Sequence, residues 1–214
     1  MNPKVVLVHG YNKNSNDMKV LKKNLEKMGY EGISVDLPLT YEEIEYAAFV
    51  LEGIIHEIIK DLKHNEKINI VGHSTGGLVI RYLLSTSKYI NKINKCVLVA
   101  TPNNGSELAD IAGKMSKTFI NIFKTLKSLQ SEEVKALKLE NSHEIEIGAI
   151  AGNRSNSLLG NLLTDENDGR VTVKSVKFSG LKDFVVLPYG HKEIHYKWKT
   201  ARLIDTFIKT GKFI

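Results

Sequence analysis

The sequence predicts an α/β fold, a single domain with a mostly parallel six-stranded sheet and helices on both faces. Three observations carry this. Short aliphatic runs alternate with stretches of helical period along the whole chain, the pattern that βα units around a parallel sheet produce. A chain of 214 residues with 42 % hydrophobic content can bury one sizeable core. No internal repeat, low-complexity tract or interdomain linker divides it.

The first strand is Lys4-Val5-Val6-Leu7-Val8, and it ends in His9-Gly10-Tyr11-Asn12. Asn14 and Asp17 then stand at capping-box-like spacing, and Val20, Leu21, Leu25 and Met28 form an apolar stripe closed by Gly29. Ile33-Ser34-Val35-Asp36 reads as a short second strand that ends at Pro38. Thr40 with Glu43 is a better capping box, opening a long helix in which Ile44, Ala47, Leu51, Ile54, Ile55, Ile58 and Leu62 keep helical period.

Ile68-Asn69-Ile70-Val71 is the third strand, and a fourth near residues 94–100 ends in Thr101-Pro102-Asn103-Asn104-Gly105-Ser106. Ser106 followed by Glu107 looks like another helix start. In residues 115–139, Phe119, Ile122, Phe123, Leu126 and Leu129 share one face. That face suits either a surface helix packed on the sheet, the commoner use, or a cap offering apolar surface to an acyl chain. Residues 103–143 as a whole are the cap or lid candidate. The fifth strand, Ile145–Ala151, leads into a polar loop over 152–170, and Val171-Thr172-Val173 fits a strand fragment or a helix entry. The last strand, Phe184–Leu187, breaks at Pro188, and a closing helix carries Ile194, Trp198, Ala201, Ile204 and Phe207.

The chemistry is concentrated in Gly72-His73-Ser74-Thr75-Gly76-Gly77, between the third strand and the helical Leu78–Leu84. A strand, a serine and a helix in immediate succession describe a nucleophile elbow. Strand and helix backbones crowd together two residues either side of the serine, and Gly72 and Gly76 occupy those positions. The helix amino terminus beneath the hydroxyl carries partial positive charge and unpaired N–H groups, which suits a developing oxyanion. A phosphate-cradling loop is excluded because Gly72 and Gly77 are followed by Leu78 and Val79 rather than Lys and Ser or Thr.

Sites in such sheets lie beyond the carboxyl ends of the strands, so partners for Ser74 are sought just after strands. The loop after the fifth strand offers Asp165, Glu166 and Asp168, and the Asp168-Gly169 turn pair favours Asp168. After the last strand come His191 and His195. His191, on the loop before the helix, can swing over Ser74, whereas His195 lies a helical turn further on. A metal pair at their i, i+4 spacing lacks the acid and third ligand of an H-E-x-x-H site. His56, His64 and His143 fall within or beside helices and read as surface residues; His73 sits beside the serine, where its ring cannot easily reach round to the hydroxyl.

The order Ser74, Asp168, His191, with Val8-His9-Gly10-Tyr11, the elbow through Leu78, Thr101–Ser106, Asn167–Val171 and Leu187–His191, resembles an α/β-hydrolase, similar to small bacterial lipase and esterase-like members. The resemblance covers nearly the whole chain. It implies a serine esterase acting through an acyl-enzyme on Ser74, with Asp168 and His191 completing the triad. It also implies an oxyanion hole from the backbone N–H groups of Tyr11 and Thr75, supported by His9, Gly10, Gly72 and Gly76. Thioesterase or acyltransferase activity uses the same constellation, and a non-catalytic ligand-binding protein on this fold is the alternative outside catalysis. The family's two antiparallel leading strands have no counterpart here, so a pared-down version is expected.

This chemistry requires no cofactor and no metal. The expected partner is a small-molecule acyl ester, with transient contact to a lipid surface. The net charge of +6 is spread from Lys13 to Lys212 without aromatic-basic stacking motifs, which argues against nucleic acid. Cys96 is the only cysteine and lies in an apolar run, so no intrachain disulfide forms. With a strand at residue 4, no signal peptide and no membrane-spanning stretch, a cytoplasmic protein is expected.

Overall fold

The computed structural model describes residues 2–63, 65–139, 145–155 and 157–214. Strands β1 (Lys4–Val8), β2 (Glu31–Val35), β3 (Ile68–His73), β4 (Ile93–Val99), β5 (Glu146–Gly152) and β6 (Asp183–Leu187) form one sheet in the order β2-β1-β3-β4-β5-β6. Every neighbouring pair is parallel, so the sheet is wholly rather than mostly parallel. The strand order reverses between β1 and β3, which opens a crevice beyond their carboxyl ends.

Side chains alternate across this sheet and feed two cores. On one face Val6, Val8, Ile70 and Leu98 pack with α2 (Ile44–Lys60) and α3 (Thr75–Thr86). On the other, Val5, Leu7, Val71 and Val97 pack with α1 (Lys19–Glu26) and α9 (Trp198–Thr210). Both faces are therefore dry, which is why the strand segments carry so few polar residues. Cys96 is free and buried in the first core, where burial pushes its thiol well up from its ordinary value.

Local signals were overridden in several places. The Thr40–Glu43 box does not form: α2 begins at Ile44, with Glu43 extended before it and no side-chain cap. The chain there is fastened instead to the loop after β1, through Asn12 N–H donating to the Leu39 carbonyl at 2.7 Å. Asn14 caps a short 3-10 turn, Ser15–Met18, by accepting from Asn16 N–H, while Asp17 turns away to the loop after β6. Val20 stands 43 % exposed, outside the buried Leu21–Leu25 stripe. Trp198 opens α9 and is 48 % exposed, so the buried residues of that helix begin at Thr200 and its buried apolar ones at Ala201.

Residues 115–139 do not form one helix. After α4 (Glu107–Met115) come α5 (Lys117–Ile122), α6 (Lys124–Ser128) and α7 (Ser131–Ala136). The breaks fall at Ser116, extended and capping α5, and at Phe123, whose φ of −92° and ψ of 72° leave the helical region. Val171–Val173 proves to be a helix entry: Thr172 pairs with Asn167 in a single bridge and caps α8 (Val173–Val176). No helix among the described residues is long and apolar enough to cross a membrane.

Candidate active site

Ser74 sits in the one-residue gap between β3 and α3 with φ 53° and ψ −127°, a conformation costly for any residue but glycine. Its own N–H donates to the Val99 carbonyl at 2.8 Å, and its carbonyl accepts from Gly77 N–H at 2.9 Å, so the turn is held from both sides. The glycines are required by crowding. A Cβ at Gly72 would lie 2.7 Å from the Gly77 Cα, and one at Gly76 would collide with the His9 carbonyl. Gly77, which local reasoning did not single out, is equally constrained, because a side chain there would strike the Thr101 hydroxyl.

Three side chains from distant segments meet above this turn. His191 Nε2 is 2.9 Å from Ser74 Oγ, and His191 Nδ1 is 2.8 Å from Asp168 Oδ2. The other carboxylate oxygen of Asp168 accepts from the N–H groups of Arg170 at 3.0 Å and Val171 at 2.8 Å. Those two donors fix the orientation of the carboxylate. His191 is tied back as well, its N–H donating to the Asp168 carbonyl at 2.9 Å. Of the three acids in that loop, only Asp168 is buried; Glu166 accepts from Asn153 and Asp165 lies 3.9 Å from the Lys174 ammonium, both exposed.

The loop after β1 presses on the elbow from below. His9 is fully buried, with Nε2 accepting from Leu37 N–H at 3.0 Å, so Nδ1 carries the proton and donates to the Gly10 carbonyl at 2.9 Å. Burial holds this ring below its ordinary pKa, in keeping with a neutral, structural histidine. A Cβ at Gly10 would lie 3.1 Å from that of Ser74, so a larger residue would push the loop off the nucleophile. Among the described residues neither Tyr11 N–H nor Thr75 N–H donates to a protein acceptor, and both residues line the cleft in front of Ser74.

That cleft has a volume of about 470 Å³ and runs from Ser74 and His191 along α4–α6. Leu108, Ile111, Met115, Phe119 and Leu126 form one wall, and Leu159 and Leu162 from the loop after β5 face them. Met115 is 82 % exposed and Phe119 44 %, so this wall is apolar yet open to solvent. The face singled out at 115–139 is thus turned to the cleft at Phe119 and Leu126, while Ile122 points to solvent.

His73 and His195 do not join the series. His73 turns its ring away from the hydroxyl, and its Nε2–H donates to the His191 carbonyl at 3.1 Å. His195 stacks on it with ring centroids 3.7 Å apart, and Asp17 lies beneath both. No local signal could have joined residues 17, 73 and 195, since each has an ordinary explanation where it stands. His56 is exposed on α2 against Tyr89; His64 and His143 lie outside the described residues.

The family model for the alpha/beta hydrolase fold matches residues 3–145. Triacylglycerol lipase 2 of Saccharomyces cerevisiae is 30 % identical over 114 residues, 51 % of this chain and 32 % of that protein. A triacylglycerol lipase of Pseudarthrobacter phenanthrenivorans is 34 % identical over 74 residues, 29 % of this chain and 23 % of that protein. The chain therefore spans about a third or less of the length of these sequence relatives. Among solved structures, the mature Bacillus licheniformis lipase BlEst2 superposes with a TM-score of 0.81 at 22 % identity, covering 97 % of this chain and 91 % of that one. The metagenomic carboxyl esterase MGS0156 gives 0.78 at 18 % identity, with 98 % and 76 % covered. At these identities the two superpositions speak for the fold.

Proposed function

The chain belongs to the alpha/beta hydrolase family, and from that premise we propose that it hydrolyses carboxylic esters through an acyl-enzyme on Ser74. The observation that carries the reading is the unbroken series from the Ser74 hydroxyl through the His191 ring to the Asp168 carboxylate, at 2.9 and 2.8 Å.

In this reaction Ser74 Oγ attacks the ester carbonyl while His191 Nε2 takes the hydroxyl proton. Asp168 accepts from Nδ1–H, which keeps the tautomer correct and stabilises the imidazolium. The tetrahedral oxyanion is received by the N–H groups of Tyr11 and Thr75, a contribution of roughly 3–4 kcal/mol per donor in enzymes of this type. His191 then protonates the alcohol as it leaves. Water enters, loses its proton to His191, attacks the acyl-enzyme and releases the acid, with Ser74 reprotonated. The acyl chain would lie in the apolar cleft along α4–α6, which acts as its cap. The sequence likeness to triacylglycerol lipases supports an ester as substrate.

The test pairs a fluorophosphonate probe with p-nitrophenyl esters of increasing acyl length. Expected are covalent labelling of Ser74, its loss in Ser74→Ala and His191→Ala, and turnover that rises with chain length until the cleft is filled. Absence of labelling at Ser74 together with absence of turnover for every ester would overturn the reading.

A further inference from the structure

The cluster beside the triad is chemically unlike it. Asp17 Oδ2, His73 Nδ1 and both ring nitrogens of His195 are buried without a hydrogen-bond partner among the described residues. So many orphaned polar atoms in one place call for an occupant. Since His73 Nε2–H donates to the His191 carbonyl, Nδ1 of the neutral ring is a bare lone pair. It lies 3.8 Å from Asp17 Oδ2, which is itself only 3.2 Å from His195 Nε2 but off the line of a hydrogen bond. Two Lewis bases, a ring nitrogen and a carboxylate oxygen, thus confront each other with no donor between them.

We propose that Asp17, His73 and His195 form a binding site for one divalent transition-metal ion of the Zn²⁺ class. One ligand atom from each residue lies within 4.8 Å of the other two. Tetrahedral Zn²⁺ with bonds of about 2.0–2.2 Å sets its ligands roughly 3.3–3.6 Å apart; the Asp17–His195 separation of 3.2 Å falls just short of that range and the Asp17–His73 separation of 3.8 Å just beyond it. Two imidazoles and a single carboxylate select such an ion over Mg²⁺ or Ca²⁺.

For two of the three ligands the supporting hydrogen bonds such sites use are already made, and His195 alone lacks one. The second nitrogen of His73 donates to a backbone carbonyl, and the Tyr196 hydroxyl donates to Asp17 Oδ1 at 2.6 Å, leaving Oδ2 free. The stacked rings must open for both lone pairs to face one ion. His195 has no hydrogen bond on either nitrogen to resist rotation about χ2, a broad torsion in histidine. A cavity of about 250 Å³ that the three ligands line together with Lys13 and Tyr196, and that reaches Ser74 and His191 of the triad, leaves a fourth position for water. Lys13, 4.0 Å from Asp17 Oδ1, is half exposed and can move off. The ion would tie the turn before α1, the end of β3 and the turn before α9 together, one bond removed from the His191 backbone.

The site is tested by binding rather than turnover, so its fate is separate from that of the esterase reading. The 214-residue chain, stripped with a chelator, is titrated calorimetrically with Zn²⁺, and with Co²⁺ followed by visible absorption. Expected is saturable one-to-one binding of both ions, an intense Co²⁺ spectrum of low coordination number, and a Tm raised by roughly 5–10 °C at a hundredfold excess over Kd. Asp17→Asn and His195→Gln should each weaken binding at least tenfold with the circular dichroism unchanged, while His191→Ala retains it. Absence of saturable binding by the wild-type chain overturns the proposal, whatever the variants do. So does binding that survives both ligand substitutions, or that disappears with His191 and so belongs to the triad.

Discussion

The two sides of the cleft are built differently. On the elbow side, backbone meets backbone: Gly76 lies against the carbonyls of Val8 and His9, Gly72 against Gly77, and Gly77 against Thr101. On the α4–α6 side, interrupted short helices present Met115 and Phe119 to water. Crowding of the first kind sets atomic positions to within a methyl group, as chemistry demands. Loose apolar side chains set only how much hydrocarbon can be covered. Changes on the elbow side should therefore appear in rate, and changes on the α4–α6 side in selectivity.

The sharpest break is Ser74→Ala, expected to lower kcat on the order of 10⁴-fold or more with the fold intact, measured by ester hydrolysis and circular dichroism. Asp168→Asn should cost about 10⁴-fold, because an amide cannot hold the His191 tautomer that accepts from Ser74. Such a loss with KM nearly unchanged would mark a positioning effect on the transition state. Gly76→Ala should destabilise by about 3 kcal/mol in urea unfolding, since the new methyl meets immovable carbonyls.

On the α4–α6 side, Met115→Ala with Phe119→Ala should lower kcat/KM roughly tenfold for long acyl esters while leaving acetate within about twofold. Equal losses for both esters would erase the division of labour between the two walls.

The smallest effect concerns Asp17. Burial, the largest influence, pushes its carboxyl up, but the His195 ring, the Tyr196 hydroxyl and Lys13 outweigh it and hold the folded value down to about 2. A depressed folded pKa adds stability above the unfolded value and forfeits it as protons bind the native form. Stability should thus fall more steeply between about pH 4 and pH 2 in the wild type than in Asp17→Asn, as acid unfolding curves would show.

How much could be read beforehand follows the range of the forces. The elbow was legible because its constraint spans six residues: two glycines flank a serine at a strand-to-helix junction, and local sterics allow little else. Asp168 was legible through its turn with Gly169, and His191 through its place directly after a strand. The failures share one cause. Thr40 and Glu43 satisfy the capping-box pattern, yet α2 starts at Ile44 without a side-chain cap, and the chain before it is fastened through the Asn12–Leu39 bond. Phe119 to Leu129 keep helical period, yet the chain breaks at Phe123. In each case a contact or a break that the local pattern does not encode outweighed a rule worth a kilocalorie or so.

By itself the sequence determined the strand-and-helix alternation, the strained serine and the chain order of its proposed partners, because periodicity and turn sterics act over a few neighbours. Only the tertiary structure decided that Asp17, His73 and His195 share one buried place, and that Phe119 faces the cleft while Ile122 does not. Those outcomes depend on which distant segments the sheet order sets side by side, a quantity that no short stretch of chain contains.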